Sequence, residues 1–405
     1  MKHVARILST YSADTFGVCS ALYELGGMIV IHDPSGCNST YTTHDEPRWF
    51  AEPSQIFISA LTEQDAILGN DSKLIADIAD IAEAAKDLRP RFICLIPSQI
   101  AHMIATDCRA ICRILEKKTG IPAFTLPTNS MHYYERGIFF ALQKLAEIAC
   151  QALPESTAPT HLPEAKWLSE EELHKLRQKK GKALRVNVLG ATPLDFSLNG
   201  SILSLRRWLE TRGCHVASCW AMGSALDTIL ASYEADLDLV LSYGGLGAAR
   251  VLRERAGIPY RIGIPFPHIA SSRGDAACPP EGPAYIIGET IFAESLARAL
   301  EEATGQPFTA IVPMATDEEL LLPGTLCLTD EDELAPVLRE AALIIADPLY
   351  QPICPAGAAF LSLPHIAFSG RLYEKTIPNL IEEEAFTDFV QKVQKNLGKL
   401  PQNRV

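Results

Sequence analysis

The stretch MIVIHDPSGC, residues 28–37, opens with four consecutive apolar residues and closes on Asp33, Pro34, Ser35 and Gly36. A short apolar run ended by turn formers reads as a strand followed by a tight loop. Because no polar residue interrupts Met28 to Ile31, both faces of that strand should be covered, as in a parallel sheet. Three runs of the same kind follow before about Cys150: QIFISAL (55–61), FICLIPS (92–98) and PAFTLPT (122–128). Helical patterns separate them, which predicts a parallel sheet with crossover helices. One such pattern, residues 100–120, ends on basic residues and Gly120 and is expected to form a single capped helix.

Residues 153–183 are rich in proline and then in charge, with no strand pattern, so they read as a linker followed by an exposed helix. A second alternation runs through ALRVNVLG (183–190), HVASCW (215–220), LDLVLSY (237–243) and PYRIGIP (259–265). After the Gly- and Pro-broken stretch HIASSRGDAACPPEGP (268–283), a third runs through YIIGET, FTAIVPM and ALIIADP. The expected fold class is therefore α/β, with three Rossmann-like domains, each a mainly parallel sheet flanked by helices. Their bounds are 1–152, 184–275 and 276–405, with the linker at 153–183. In such sheets ligands bind beyond the carboxyl ends of strands, so the loops after these runs are where chemistry is expected.

At 405 residues, with 47% hydrophobic and 21% charged residues and no low-complexity tract, the chain suits an ordered multidomain protein. A net charge of −13 argues against a nucleic-acid partner, which needs clustered Lys and Arg. No apolar run is long enough to span a bilayer and MKHVARILSTYSADTF lacks an apolar signal core, so a cytoplasmic protein is expected, with no membrane partner. Eleven cysteines without a secretion signal read as thiols, a few of them metal ligands.

Several motifs fail. The two Gly-Lys pairs, at 181–182 and 398–399, lack the remainder of a phosphate loop, so this chain should not hydrolyse ATP. Arg250 stands where the third glycine of a dinucleotide fingerprint would follow Gly244, Gly245 and Gly247. Cys108 and Cys112 lie one turn apart on an apolar helix face and are expected in the core. Two cysteines remain of interest. Cys19 lies in the short helix TFGVCSALYELGG, and Cys37 follows the strand MIVIHDP (28–34), so both can reach one end of a sheet. The loop with Pro34 and Gly36 can turn backbone N–H groups toward sulfur, as cluster thiolates require.

These segments resemble the nitrogenase component 1 family, and the matches run in order along the chain. HDPSGC resembles its cluster-binding loop, TEQDAILGN (62–70) its Thr-Glu segment, and FICLIPSQIAHMIATD the strand and helix that carry its third cluster cysteine. LDLVLSYGGLGAARVLRERAGIPY resembles the second-domain strand, loop and helix, and LPHIAFSG (363–370) the closing strand of the third domain. Two departures qualify the likeness. Gln99 occupies the third-cysteine position, and Ser242 stands where nitrogenase holds its catalytic cofactor by a cysteine.

The resemblance implies a simpler reductase, similar to the dark-operative protochlorophyllide reductase and the nickel-sirohydrochlorin diamide reductive cyclase. Cys19 and Cys37 from each of two subunits would supply the four thiolates of a 4Fe-4S cluster. The implied partners are a second subunit, giving a homodimer or a heteromer with another component 1 chain, an ATP-dependent iron protein that delivers electrons, and a small-molecule substrate, first of all a tetrapyrrole. Gly36, Asp33 and Gln99 join the two cysteines as expected cofactor contacts. An oxygen ligand from Asp33 or Asp14 is an alternative, and Asp33 equally fits a role in ordering its own turn. Ser242, Tyr243, Gly244, Met222 and Gly223 are the expected substrate-pocket residues. His32, His44 and His365 flank strand ends and could donate protons. Cys354 is expected to be packed. Trp49 and Arg48, near the cluster loop, could pack under it or help dock the reductase, and surface packing is the expectation preferred for them. The alternatives are a scaffold for cofactor assembly and a binding protein without a cluster.

Overall fold

The computed structural model describes residues 12–36, 38, 45–52, 54–269 and 282–397. Cys37 and His44 lie outside them, as does most of the stretch 268–283. The first sheet contains β1 (Met28–His32), β2 (Ile56–Ile58), β3 (Ile93–Pro97) and β4 (Ala123–Thr125) in the order β2-β1-β3-β4, and every pair is parallel. All five residues of β1 and of β3 are buried, as two covered faces demand.

The second sheet contains β5 (Lys166–Trp167), β6 (Leu184–Leu189), β7 (Cys214–Cys219), β8 (Leu237–Val240) and β9 (Tyr260–Ile262), in the order β5-β9-β8-β6-β7. The third contains β10 (Ala284–Ile287), β11 (Phe308–Val312), β12 (Leu326–Cys327), β13 (Leu343–Ala346) and β14 (Ala359–Ser362), in the order β12-β11-β10-β13-β14. Both are wholly parallel. The chain is thus mixed α/β, with three parallel sheets flanked by helices.

Three local expectations are corrected. The segment 153–183 does hold a strand: β5 pairs with β9 at Lys166 and Trp167, too short to leave a periodic trace. The two-residue β12 was invisible for the same reason. Residues 363–370 are not the closing strand. Leu363 makes the last ladder bond, from its N–H to the Ala346 carbonyl, and Pro364 has no N–H to continue it. The helix Ile366–Ser369 follows, its start fixed by Asp347, which accepts from the His365 N–H and the Ser369 hydroxyl at 2.8 Å each. Finally, 100–120 is two helices, Gln99–Met103 and Cys108–Thr119, because Asp107 caps the second by accepting from the Ala110 N–H.

The helix Tyr134–Cys150 joins the first sheet to the second. It crosses the helix Asp14–Leu22 at two glycines. A Cβ on Gly17 would lie 1.9 Å from the Tyr134 carbonyl oxygen, and one on Gly137 would lie 1.8 Å from that of Asp14. On its other side it packs along the helix Tyr243–Ala256, where Gly244 and Gly247 admit Ile138 and Phe139. One continuous core therefore runs from Phe16 and Leu22 through Ile138 and Leu142 to Leu246 and on to Ile366 and Phe368. Cys108 and Cys112 lie in a smaller core with Met28, Val30 and Leu95, as expected of an apolar helix face.

Candidate functional site

Cys19 sits in the middle of the helix Asp14–Leu22, completely buried. Burial, and secondarily the negative charge of Glu46, push its thiol pKa upward. Asp14 at the head of this helix is equally buried, and its carboxylate accepts from the N–H groups of Asn129 and Ser130 at 2.9 and 2.8 Å. That carboxylate is thereby committed to holding the loop after β4. Asp33 accepts from the Asn38 side-chain amide at 2.6 Å, so it braces its own loop, through Asn38. Gly36 is exposed. Gln99 is exposed too, as the first residue of the helix Gln99–Met103.

Arg48 departs from expectation. Far from surface packing, it is 6% exposed. Its guanidinium contacts Glu46 at 2.6 Å and donates to the carbonyls of Ser20 at 2.7 Å and Ala221 at 2.8 Å. Glu24 completes the group, paired with Arg48 at 3.4 Å and accepting from the Gly223 N–H. Met222 and Gly223 are consequently brought to the neighbourhood of Cys19, through the residue after it.

Ser242, Tyr243 and Gly244 lie elsewhere. The Ser242 hydroxyl donates to the Gly190 carbonyl at 2.7 Å, Tyr243 stacks on Phe139 with centroids 5.3 Å apart, and Gly244 meets Ile138. The close approach that Gly244 permits is to a neighbouring helix. The five expected pocket residues therefore form two groups.

A further set of side chains, of which only His365 was expected, gathers beyond the carboxyl ends of β6, β10, β13 and β14. Tyr134, fully buried, donates its phenol hydrogen to Asp195 Oδ1 at 2.5 Å, and His365 Nε2 stands 3.3 Å from the same oxygen. Glu135 and Glu289 are buried beside them. Glu289 accepts from the N–H groups of Tyr243 and Phe292 at 2.8 and 2.9 Å. Neither Glu135 oxygen makes a hydrogen bond of ordinary geometry among the described residues. Burial, with the charges of Asp195 and Glu289 adding to it, pushes Glu135 up to about 8. Burial and Asp195 push Glu289 upward as well. Burial therefore favours the protonated form of Glu135.

Asp195, Asp347 and His365 line a pocket with Phe196, Phe266 and Phe368, with about 40 Å³ of free space, room for one or two waters. A larger cleft of about 620 Å³, walled by Trp167, Trp208, Arg207 and Arg298, shares Ile264, Phe266 and Ile381 with it. Asp195, Glu289 and Asp347 each follow a strand closely, so position relative to ALRVNVLG, YIIGET and ALIIADP was the available signal. Tyr134 and Glu135 open a helix and carried none.

Set against the four-thiolate cluster that the family resemblance implies, the described residues offer Cys19 alone. No three His, Cys, Asp or Glu side chains among them converge to hold a metal. Cys19 fits such a cluster only within a set completed by Cys37 and by a second subunit. No helix among the described residues is long and apolar enough to cross a membrane.

The same architecture occurs in known proteins. The chain resembles the solved structure of "Nitrogenase Cp1 at pH 6.5" with a TM-score of 0.64 at 14% identity, covering 98% of this chain and 94% of that one. In sequence it is 26% identical over 236 residues to the nitrogenase iron-molybdenum cofactor biosynthesis protein NifE of Clostridium pasteurianum, 57% of this chain and 44% of that protein. It is 27% identical over 242 residues to a subunit of the light-independent protochlorophyllide reductase of Prosthecochloris aestuarii, 58% of this chain and 39% of the relative. The matches thus span less than half the length of these curated relatives. The family model described as nitrogenase component 1 type oxidoreductase matches residues 15–272, well over half of the chain, and the chain belongs to that family.

Proposed function

We propose that this chain is the substrate-reducing component of a nitrogenase-like reductase. In this reading Cys19 and Cys37 of each of two subunits hold a 4Fe-4S cluster, which supplies single electrons when bound. An ATP-dependent iron protein is the electron donor, and the substrate is a small molecule with a reducible double bond, a tetrapyrrole first of all. The partner subunit is a second copy or another component 1 chain.

The observation that carries the reading is the group formed by Tyr134, Asp195, His365, Glu135 and Glu289. Reduction of an organic double bond consumes protons as well as electrons, and this group keeps exchangeable protons in a water-poor site at the strand ends. Tyr134 fixes Asp195, Asp195 faces the His365 ring, and burial favours the protonated form of Glu135. Arg48 supports the cluster side, tying the Cys19 helix at Ser20 to the second-sheet loop at Ala221. Its positive charge offsets Glu46 and Glu24 beside a thiol that burial disfavours as a thiolate.

A second reading, a scaffold that holds a metal cofactor for delivery, is favoured by the similarity to NifE. One assay separates the two. The anaerobic protein is mixed with an iron protein, ATP, dithionite and protochlorophyllide. Loss of the macrocycle's absorbance at a rate set by ATP supports the reductase, whereas transfer of iron to an acceptor protein without reduction supports the scaffold.

A further inference from the structure

The pocket between the second and third sheets carries one group whose purpose packing does not explain. His365 is held from two sides. Its backbone N–H is fixed by Asp347 at 2.8 Å, and its ring lies 4.7 Å from that of Phe368 and 6.0 Å from that of Tyr134. Nε2 faces Asp195 Oδ1 at 3.3 Å, and the same oxygen receives the Tyr134 phenol. Nδ1, on the other side of the ring, is buried, and neither ring nitrogen has a hydrogen-bond partner among the described residues. A buried imidazole with neither nitrogen hydrogen-bonded and a carboxylate at ion-pair distance from one of them is placed to carry a proton, the carboxylate steadying the charged ring.

We propose that His365 delivers the proton to the reduced substrate through Nδ1, with Asp195 and Tyr134 as its positioning residues. This rests on the reductase reading and deepens it. An electron from the iron protein reaches the substrate double bond. The Nδ1–H bond of the imidazolium then breaks, its electron pair remains on nitrogen, and the proton forms a new C–H bond on the substrate. The imidazole takes a proton back from solvent, and two such rounds add two electrons and two protons across one double bond. The space at His365 also limits what reacts there. With about 40 Å³ free, only a small unsaturated edge enters, while the adjoining 620 Å³ cleft has room for the body of a large flat molecule. The ionisable groups around the ring are Asp195, Asp347, Tyr134, Glu135 and Glu289, and all but the imidazole itself are acids.

The test has two arms. In the first, the dimer is assayed with iron protein, ATP, dithionite and protochlorophyllide, comparing wild type with His365→Gly and His365→Gln. The expected result is unchanged iron content and unchanged reduction of the Gly variant by the iron protein before substrate is added, turnover lower by about a hundredfold or more, and partial recovery with added imidazole. Turnover by the Gly variant at the wild-type rate overturns the proposal, as does a loss that imidazole leaves untouched while the Gln variant works normally. In the second arm, nitrogen-15 spectra of the purified protein report the His365 tautomer without any substrate. A neutral ring protonated at Nε2, with the preference lost in Asp195→Asn, is expected. A ring protonated at Nδ1, or one indifferent to Asp195→Asn, overturns the proposal. A wild type that takes up no electrons refutes the reductase reading, and the second arm still decides the geometry claimed here.

Discussion

Arg48 Nη1 donates to the Ala221 carbonyl at 2.8 Å, joining residues 173 positions apart in the chain. The same guanidinium holds Ser20 O at 2.7 Å, so one buried cation fastens the Cys19 helix to the loop after β7. Replacing Arg48 with Met removes the cation from beside buried Glu46 and half-buried Glu24. Breaking a buried pair from one side typically costs about 3–5 kcal/mol. Chemical denaturation of Arg48→Met should show a loss of that order, and Arg48→Lys, which keeps the charge without the planar fork, should fall between.

The crossing of helices 14–22 and 134–150 leaves no room for a methyl group. A Cβ at Gly17 or Gly137 would sit within 2 Å of a backbone oxygen of the other helix, and backbone cannot swing aside as a side chain can. Gly17→Ala should therefore force the helices apart, at a cost at or above the upper end of the usual 1–3 kcal/mol for overpacking. A thermal melt reads the loss. Ala at Gly69, whose Cβ would meet nothing within 4 Å, should cost less, its penalty confined to the positive φ of 65°.

Glu135 gives the stability a pH slope. Its pKa rises from 4.5 to about 8 on folding, chiefly through burial. Between those values the unfolded chain releases the proton and the folded chain keeps it. Stability therefore falls as pH rises through that window, by up to about 1.4 kcal/mol per pH unit for this group, and the slope vanishes below and above it. Glu135→Gln should remove that share. Urea midpoints of wild type and variant should diverge in favour of the variant between pH 5.5 and 7.5, and parallel midpoints would refute the assignment.

Legibility in the sequence followed burial. Continuous apolar runs such as Met28–Ile31 and Ile93–Ile96 announced strands covered on both faces, and the alternation with helices announced three parallel sheets. The two-residue strands Lys166–Trp167 and Leu326–Cys327 were silent, because partners fix so short a strand and it has no period of its own. The helix Ile366–Ser369 was misread as a strand because Asp347, some twenty residues earlier, decides where it begins. At the site, Cys19 stood out by residue type and His365 by its place near a strand end. Tyr134 and Asp195 meet across 61 residues, a contact that no local pattern records. Arg48 looked like a surface cation for the same reason, since its partners at Ser20 and Ala221 are distant in the chain.

The proposed reductase depends on a cluster shared through Cys19 and Cys37. It is tested most directly by iron and acid-labile sulfide analysis of anaerobically purified protein, separated by size and compared with Cys37→Ser. About four irons and four sulfides per dimer are expected, none on monomer, and both are lost from the Cys37→Ser protein while its fold persists. Iron-free wild-type protein from cluster-competent cells, or a Cys37→Ser protein with unchanged iron, would contradict it.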